Sequence, residues 1–334
     1  NSQRCNIKHI HWGVIGCGHI AQLFVKGLQR LDHCSLLSVA SRTANRAKEF
    51  ANQYNVKRVC TDYESLASDP DIDAIYIATT HNFHFDNIKL CLENGKHVLC
   101  EKPLTVNAQQ AKILVALAQK HQCFMMECVW TRFLPAIKHL TVLLAQGVIG
   151  EVQTVKANFS ISGDFSPEHR LRNKDLAGGA LLDLGIYPLT LAALVFGEEP
   201  TKIQSSAVIG STGVDESSFY LLEYAPKQRA MLSSSFIDGA PTEAIISGSK
   251  GYIRLPNFLA AQTLHLHMDN ESVQTLAFPF EEDESFTFEI ADAMQCIRQG
   301  KSQSDILPLA KTVAIMTTMD TIRAQWGLKY SNEF

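Results

Sequence analysis

Four short stretches carry polar or glycine residues where an apolar chain has little structural use for them. Glu101-Lys102-Pro103 follows directly on the apolar run His97 to Cys100. A residue before proline is held extended, so Lys102 cannot join a helix and its ammonium is presented at a strand end. The purely structural alternative is a surface pairing of Lys102 with Glu101. Gly178 to Tyr187, reading GGALLDLGIY, opens an apolar helix in which Asp183 and Tyr187 stand four residues apart and share a face. A carboxylate and a phenol are costly to bury without partners, and a plain core helix leaves them unexplained. His9 to Ala21, HIHWGVIGCGHIA, is a strand-like run broken at Gly16 and Gly18 and followed by apolar residues at helical spacing. Gly16 lets the chain turn, Gly18 lets bare backbone approach a pyrophosphate, and Ala21 permits close packing of helix on strand. Cys17, His19 and Ile20 complete a helix N-terminus that offers N–H groups and partial positive charge to an anion. Such a turn also exists without a ligand, but this one begins a repeating strand/helix pattern.

The fourth stretch discriminates between nucleotides. In a dinucleotide fold that binds NAD, an acid about 20 positions past the glycine turn accepts hydrogen bonds from the ribose hydroxyls. Here that place holds Ser41 and Arg42, with Arg46 one turn further and no Asp or Glu nearby. Guanidinium forms charge-assisted, often bidentate bonds to phosphate, so the expectation is NADP, with NAD the lesser candidate. A solvated surface arginine is the bland alternative.

The elements that position these residues alternate. Strands are expected at Ser35 to Ala40, Ala74 to Ala78, His97 to Cys100 and Cys123 to Val129, with helices at His19 to Leu31, Ala44 to Tyr54, Asn82 to Leu92 and from an Asn107 cap to about His121. Alternation of this kind means a doubly wound, Rossmann-type parallel sheet with ligands outside the carboxyl ends of its strands. Near Trp130 the character changes. A helix at about Pro135 to Gln146 precedes a strand at Val152 to Ile161, then come strands near 202–209, 217–224, 230–236, 244–247, 252–255 and 264–267 without intervening helices, and helices at 285–299 and 309–325. The expectation is an α/β dinucleotide-binding domain at 1–129 and an α+β substrate domain at 130–334 with an open, mostly antiparallel sheet.

The 334 residues, 46% apolar and 19% charged, suffice for two cores. A net charge of -4 and scattered basic residues exclude an electrostatic footprint for nucleic acid or an anionic membrane, leaving a small-molecule partner. Nine cysteines, at 5, 17, 34, 60, 91, 100, 123, 128 and 296, include no C-x-x-C pair and read as reduced thiols of a cytoplasmic protein without a zinc site. The start Asn1-Ser2-Gln3-Arg4 reads as trimmed or engineered, with no signal-peptide core after it. Ala180 to Phe196, the longest apolar stretch, contains Asp183 and Pro188 and is short for a membrane span.

The glycine motif, Glu101-Lys102-Pro103, Met126-Glu127, Trp130-Thr131-Arg132-Phe133 and Ala177 to Tyr187 together resemble the Gfo/Idh/MocA oxidoreductase family over nearly the whole chain; Ser211 to Ser285 is the least distinctive part. Within the family the likeness is to the dihydrodiol and D-xylose dehydrogenase branch. Many members have histidine where this chain has Tyr187, and tyrosine marks the dihydrodiol and glucose-fructose branches. The resemblance implies that Lys102 and Tyr187 are a catalytic pair and Asp183 an active-site aspartate. It implies that Thr79, Thr80, His81, Asn82 and His84 touch the cofactor beside Glu101, Lys102 and Pro103. It also implies a homodimer formed through the outer face of the second sheet.

Tyrosine needs help to act as a base, its ordinary pKa being about 10. An ammonium about 4 Å from a phenolate contributes roughly 4 kcal/mol at an effective dielectric of about 20, enough to lower a phenol's pKa by about three, although burial opposes this. The activity expected is hydride transfer between nicotinamide and a vicinal diol, a trans-dihydrodiol or a pyranose such as D-xylose, with no metal. The alternative is a nucleotide-binding sensor of the same fold, which has no use for a lysine-activated phenol. Trp130 and Arg132 are expected to wall the site, Trp130 by stacking and Arg132 by pairing with a carboxylate, with core packing an equal account of Trp130. Histidines 81 and 84 are as well explained structurally. His169, Arg170 and Arg172 sit on a polar loop before Gly178 that could reach the substrate, a solvated loop being the preferred reading.

Overall fold

The computed structural model describes residues 7–197 and 199–334; Cys5 and the Asn1-Ser2-Gln3-Arg4 start lie outside them. The chain divides into two units, each discontinuous in sequence. The first is Asn1–Leu104, Ala111–Trp130 and Glu281–Leu309, and the second Thr105–Gln110, Thr131–Phe280 and Ala310–Phe334.

The first unit contains β1 (Ile10–Ile15), α1 (His19–Leu28), β2 (Cys34–Ala40), α2 (Ala44–Tyr54), β3 (Arg58–Cys60), α3 (Tyr63–Ala67), β4 (Ala74–Ile77), α4 (His84–Glu93), β5 (His97–Glu101), most of α5 (Ala108–Lys120) and β6 (Met125–Cys128). Its sheet runs β3-β2-β1-β4-β5-β6 with every pair parallel, so all strands end on one edge. That is the order of a doubly wound dinucleotide fold. The centre is aromatic: Phe24 stacks on Tyr76 at 4.0 Å, and Trp12 meets Phe24 edge-on at 5.3 Å. β3 and α3 were not expected, because three and five residues are too few to show a period. Only the Asp62 cap, whose carboxylate accepts from the Ser65 N–H at 2.6 Å, marks α3. The expected helix at 82–92 begins instead as a 3-10 turn at His81–Phe83.

Where a single boundary at 129/130 is expected, the chain passes between the units after Leu104, Gln110, Trp130, Phe280 and Leu309. Helix Thr287–Arg298 belongs with the first unit because Gly27 of α1 brings it close. A Cβ on Gly27 would lie 3.0 Å from the Thr287 nitrogen, and the Thr287 hydroxyl donates to the Gly27 carbonyl at 3.0 Å. No periodicity in either segment announces that pairing.

The second unit carries α6 (Pro135–Ala145), β7 (Val152–Ser160), α7 (Ile186–Phe196), β8 (Lys202–Ile209), β9 (Asp215–Ala225), β10 (Gln228–Ser235), β11 (Glu243–Gly248), β12 (Gly251–Pro256), β13 (Thr263–Met268) and β14 (Gln274–Ala277). Eight strands form one sheet ordered β14-β13-β12-β11-β7-β10-β9-β8. All its pairs are antiparallel except β7 with β10. Parallel neighbours need a crossover, and here the chain passes through α7, β8 and β9 between them. One face of β8, β9 and β10 stays open, with Phe219 60%, Leu221 45% and Met231 50% exposed and adjacent in register. The segment Lys174–Phe196 is long and apolar enough to cross a membrane by composition, and 83% of its most apolar window is buried within the protein, as a core helix would be. The eight described cysteines are all unpaired.

Candidate active site

In the first unit the expected nucleotide residues collect at the carboxyl edge of the sheet. Gly16 turns the chain at φ +95°, and its N–H donates to the Ala40 carbonyl at 2.9 Å. A Cβ there would lie 2.7 Å from the Ala78 carbonyl oxygen, so the turn presses against the end of β4. Gly18 is the N-cap of α1, with no side-chain cap and no acid in the first turn, and a Cβ on it would meet nothing within 4 Å. An open approach to an uncapped helix start is what a pyrophosphate requires, so these residues fit a dinucleotide. His19 and Ile20 are exposed beside it, while Cys17 is buried, its thiol pushed up to about 11 by burial despite the nearby Arg46. Arg42, just after β2, and Arg46, in the first turn of α2, are exposed, Arg42 lying over the Phe83 ring at 5.0 Å. Ser41 is nearly buried and its hydroxyl accepts from the Thr43 N–H at 3.4 Å.

Thr79, Thr80, His81 and Asn82 follow β4, with the Thr80 hydroxyl donating to Asn82 Oδ1 at 2.8 Å and the Asn87 amide donating to the Thr79 hydroxyl at 3.1 Å. His84, expected to touch the cofactor, is fully buried. Its Nδ1 faces the Pro103 carbonyl at 2.7 Å and its Nε2 the Thr79 carbonyl at 2.9 Å. Both ring nitrogens are thus spent on tying the end of β4 to the turn after β5, where the Lys102–Pro103 peptide is cis. Burial, then the neighbouring His81, lowers the His84 pKa to about 4, although both carbonyls favour a charged ring. The unfolded chain therefore binds that proton more tightly than the folded one. The contribution to stability is full above about pH 6.5 and is lost as pH falls toward 4, on the order of 3 kcal/mol in all. Urea unfolding of the parent and His84→Gln between pH 4 and 7 checks this. The variant's stability is expected to fall less steeply with acid; equal slopes would refute the assignment.

Beneath Lys102, the Glu101 carboxylate accepts from the Tyr76 hydroxyl. Glu101, Cys128 and Glu289 bring ligand-type atoms within 4.8 Å of one another. Burial and the Glu101 charge push the Glu289 carboxyl, 1% exposed, well above the usual carboxylate range, and burial does the same to the Cys128 thiol. Trp130 is half-buried and packs on Phe286 with centroids 5.8 Å apart.

In the second unit, Asp183 and Tyr187 lie on the helical run through residues 181–196. Its first turn, Leu181–Gly185, is a π-helix, a form not expected from the sequence and one frequent at functional sites. Pro188 supplies no N–H to the carbonyl four residues back, inside that turn, so the ordinary α pattern is interrupted there. Asp183 is 4% exposed, and the Tyr187 ring stands edge-on to Phe159 at 5.6 Å. The loop read as solvated is engaged. Arg170 Nη1 donates to Asp183 Oδ1 at 2.8 Å, and Arg172 donates to the Phe165 carbonyl at 3.0 Å and the Ser211 hydroxyl at 3.2 Å. His169 stays exposed against Phe165, with burial lowering its pKa. Arg132 is buried in this unit.

Nothing in the sequence singles out Asp215. It is fully buried, and Oδ2 accepts the Leu181 N–H at 2.7 Å. Burial pushes its carboxyl up to about 7 against the pull of that N–H, Arg323 and Ser218. The signal available was an acid opening a strand-like run, indistinguishable in one sequence from a surface acid.

Comparison with known proteins agrees with this architecture. Residues 10–128 match "Oxidoreductase family, NAD-binding Rossmann fold" and residues 137–254 match "GFO/IDH/MocA C-terminal domain". The chain is 37% identical to trans-1,2-dihydrobenzene-1,2-diol dehydrogenase of Xenopus laevis over 328 residues, 96% of this chain and 98% of that one. It is 33% identical to the Homo sapiens protein of the same name over 333 residues, 97% and 99% of the two chains. Among solved structures, a 3-ketoreductase from Actinomadura kijaniata in complex with NADP and TDP-benzene superposes with a TM-score of 0.84 at 25% identity, covering 95% and 98%. Levoglucosan dehydrogenase in complex with NADH and levoglucosan gives 0.87 at 17% identity, covering 96% and 98%, a likeness of fold alone. A parallel dinucleotide sheet with an open glycine turn, joined to these two family matches, makes the chain a member of the Gfo/Idh/MocA oxidoreductase family.

Proposed function

We propose that this chain is an NADP-dependent dehydrogenase of vicinal diols or sugars, such as a trans-dihydrodiol or a D-xylose-like pyranose. The observation that carries the reading is the presence of Lys102, Asp183 and Tyr187 together, in a chain that aligns end to end with dihydrodiol dehydrogenases. Nicotinamide, when bound, would supply the hydride acceptor for oxidation of the substrate carbon and the hydride donor for reduction. Tyr187 takes the proton from the hydroxyl being oxidised and gives it back in the reverse direction. Lys102 supplies the positive charge that eases ionisation of the phenol. Asp183, held by Arg170, accepts a hydrogen bond from the neighbouring hydroxyl and so favours diols over simple alcohols. Gly16, Cys17, Gly18, His19 and Ile20 hold the pyrophosphate, and Ser41, Arg42 and Arg46 the 2′-phosphate. The test is a screen of dihydrodiols, sugars and inositols with NADP, following NADPH absorbance. Binding of NADP with no substrate-dependent rise would sink the enzymatic reading.

Preference for NADP rests on Arg42. Arg42→Ala is expected to weaken NADP about tenfold or more, the scale of one charge-assisted bond, while NAD binding changes little. Titration of both nucleotides measures it, and equal losses for the two would refute a 2′-phosphate contact. The open face carrying Phe219, Leu221 and Met231 supports a homodimer formed through that sheet; the mass of the protein in solution decides.

A further inference from the structure

Asp183 and Tyr187 depend on a backbone turn that has no side-chain cap of its own from neighbouring residues. Two residues from distant parts of the second unit hold it. Asp215, at the start of β9, accepts the Leu181 N–H through Oδ2 at 2.7 Å, and Tyr330 donates its hydroxyl to the Gly178 carbonyl. Both glycines before the turn make room. A Cβ on Gly178 would meet the Arg170 carbonyl oxygen at 2.5 Å, and one on Gly179 would meet Asp215 Oδ1 at 2.3 Å. Gly179 also sits at φ +116°, which side chains rarely adopt. Asp215 is fully buried, and Oδ1 has no hydrogen-bond partner among the described residues. A buried carboxylate with half its acceptor capacity unmet is unfavourable for folding alone, since a neutral residue would avoid the desolvation. Ser218, Tyr220 and Ser234 continue the polar cluster under Gly185, where a Cβ would lie 2.7 Å from the Tyr220 hydroxyl oxygen.

We propose that Asp215 is a positioning residue for the Asp183 and Tyr187 pair, its carboxylate holding the Leu181 N–H and thereby setting where the π turn presents both side chains. The proposal rests on the functional reading of those two residues given above. At pH 8, where the Asp215 carboxyl, pushed up to about 7, is mostly ionised, Asp215→Asn keeps the volume and an acceptor but replaces a charged hydrogen bond by a neutral one, about a tenfold difference in equilibrium constant. In the full-length protein kcat is expected to fall about tenfold, with the KM for NADP unchanged and thermal stability kept. The Leu181 amide should exchange hydrogen about tenfold faster while amides of the first unit do not change. A kcat within twofold of the parent, or a KM for NADP rising in step with the loss, would overturn the proposal. If Asp215→Asn does not fold, Ser218→Ala removes a hydroxyl 3.5 Å from the same carboxylate and is expected to lower kcat two- to threefold with the same unchanged KM; no loss there would overturn it. Were the parent to show no diol turnover, the functional reading would fail, and the Leu181 exchange rate would still decide the role of Asp215.

Discussion

Tyr187→Phe is expected to lower kcat about a hundredfold or more while NADP binds as before. The substitution deletes one oxygen and keeps the ring, so the edge-on packing against Phe159 at 5.6 Å survives and the helix keeps its core face. The hydroxyl is the atom assigned to proton exchange with the substrate, and no phenylalanine atom can replace it. The glycine turn and Arg42, assigned to the nucleotide, belong to the other unit, so the dissociation constant for NADP should not follow the rate. Steady-state kinetics with the best substrate from the screen, together with an NADP titration, separates the two. Turnover near that of the parent would remove Tyr187 from the chemistry.

Gly16→Ala and Gly18→Ala should part company, because the two glycines serve different needs. At Gly16 an added Cβ would lie 2.7 Å from the Ala78 oxygen and 2.8 Å from its carbonyl carbon. These are backbone atoms at the end of a buried strand and cannot swing aside, and the φ of +95° adds its own strain. A loss of about 2–4 kcal/mol in stability is expected, with NADP affinity falling as the turn distorts. At Gly18 φ is −89° and the space is open, so the folded protein should keep its stability within about 1 kcal/mol or gain slightly. NADP should nonetheless bind at least tenfold more weakly, because a methyl group stands where backbone must approach phosphate. Thermal unfolding and NADP titration of both variants test this. Unimpaired nucleotide binding by Gly18→Ala would show that the turn is not the pyrophosphate site.

The amino-acid sequence by itself determined the parallel sheet, the glycine turn and the family to which the chain belongs. Each is written in local signals: period-2 and period-3.6 apolar patterns, two glycines at fixed spacing, a lysine before a proline. It also singled out Asp183 and Tyr187, since polar groups in an apolar helix stand out without any partner being known. Tertiary structure alone decided who those partners are. Arg170 pairs with Asp183 across 13 residues, Asp215 caps Leu181 across 34, and Tyr330 reaches Gly178 across 152. The same holds for His84, whose two ring nitrogens tie Thr79 to Pro103, and for the helix Thr287–Arg298, which packs on Gly27. Its parallel pairing of β7 with β10 belongs to this class as well. A hydrogen bond or a close approach between residues far apart in the chain leaves no period in either segment. It becomes visible only when folding has brought both ends of the contact to one place.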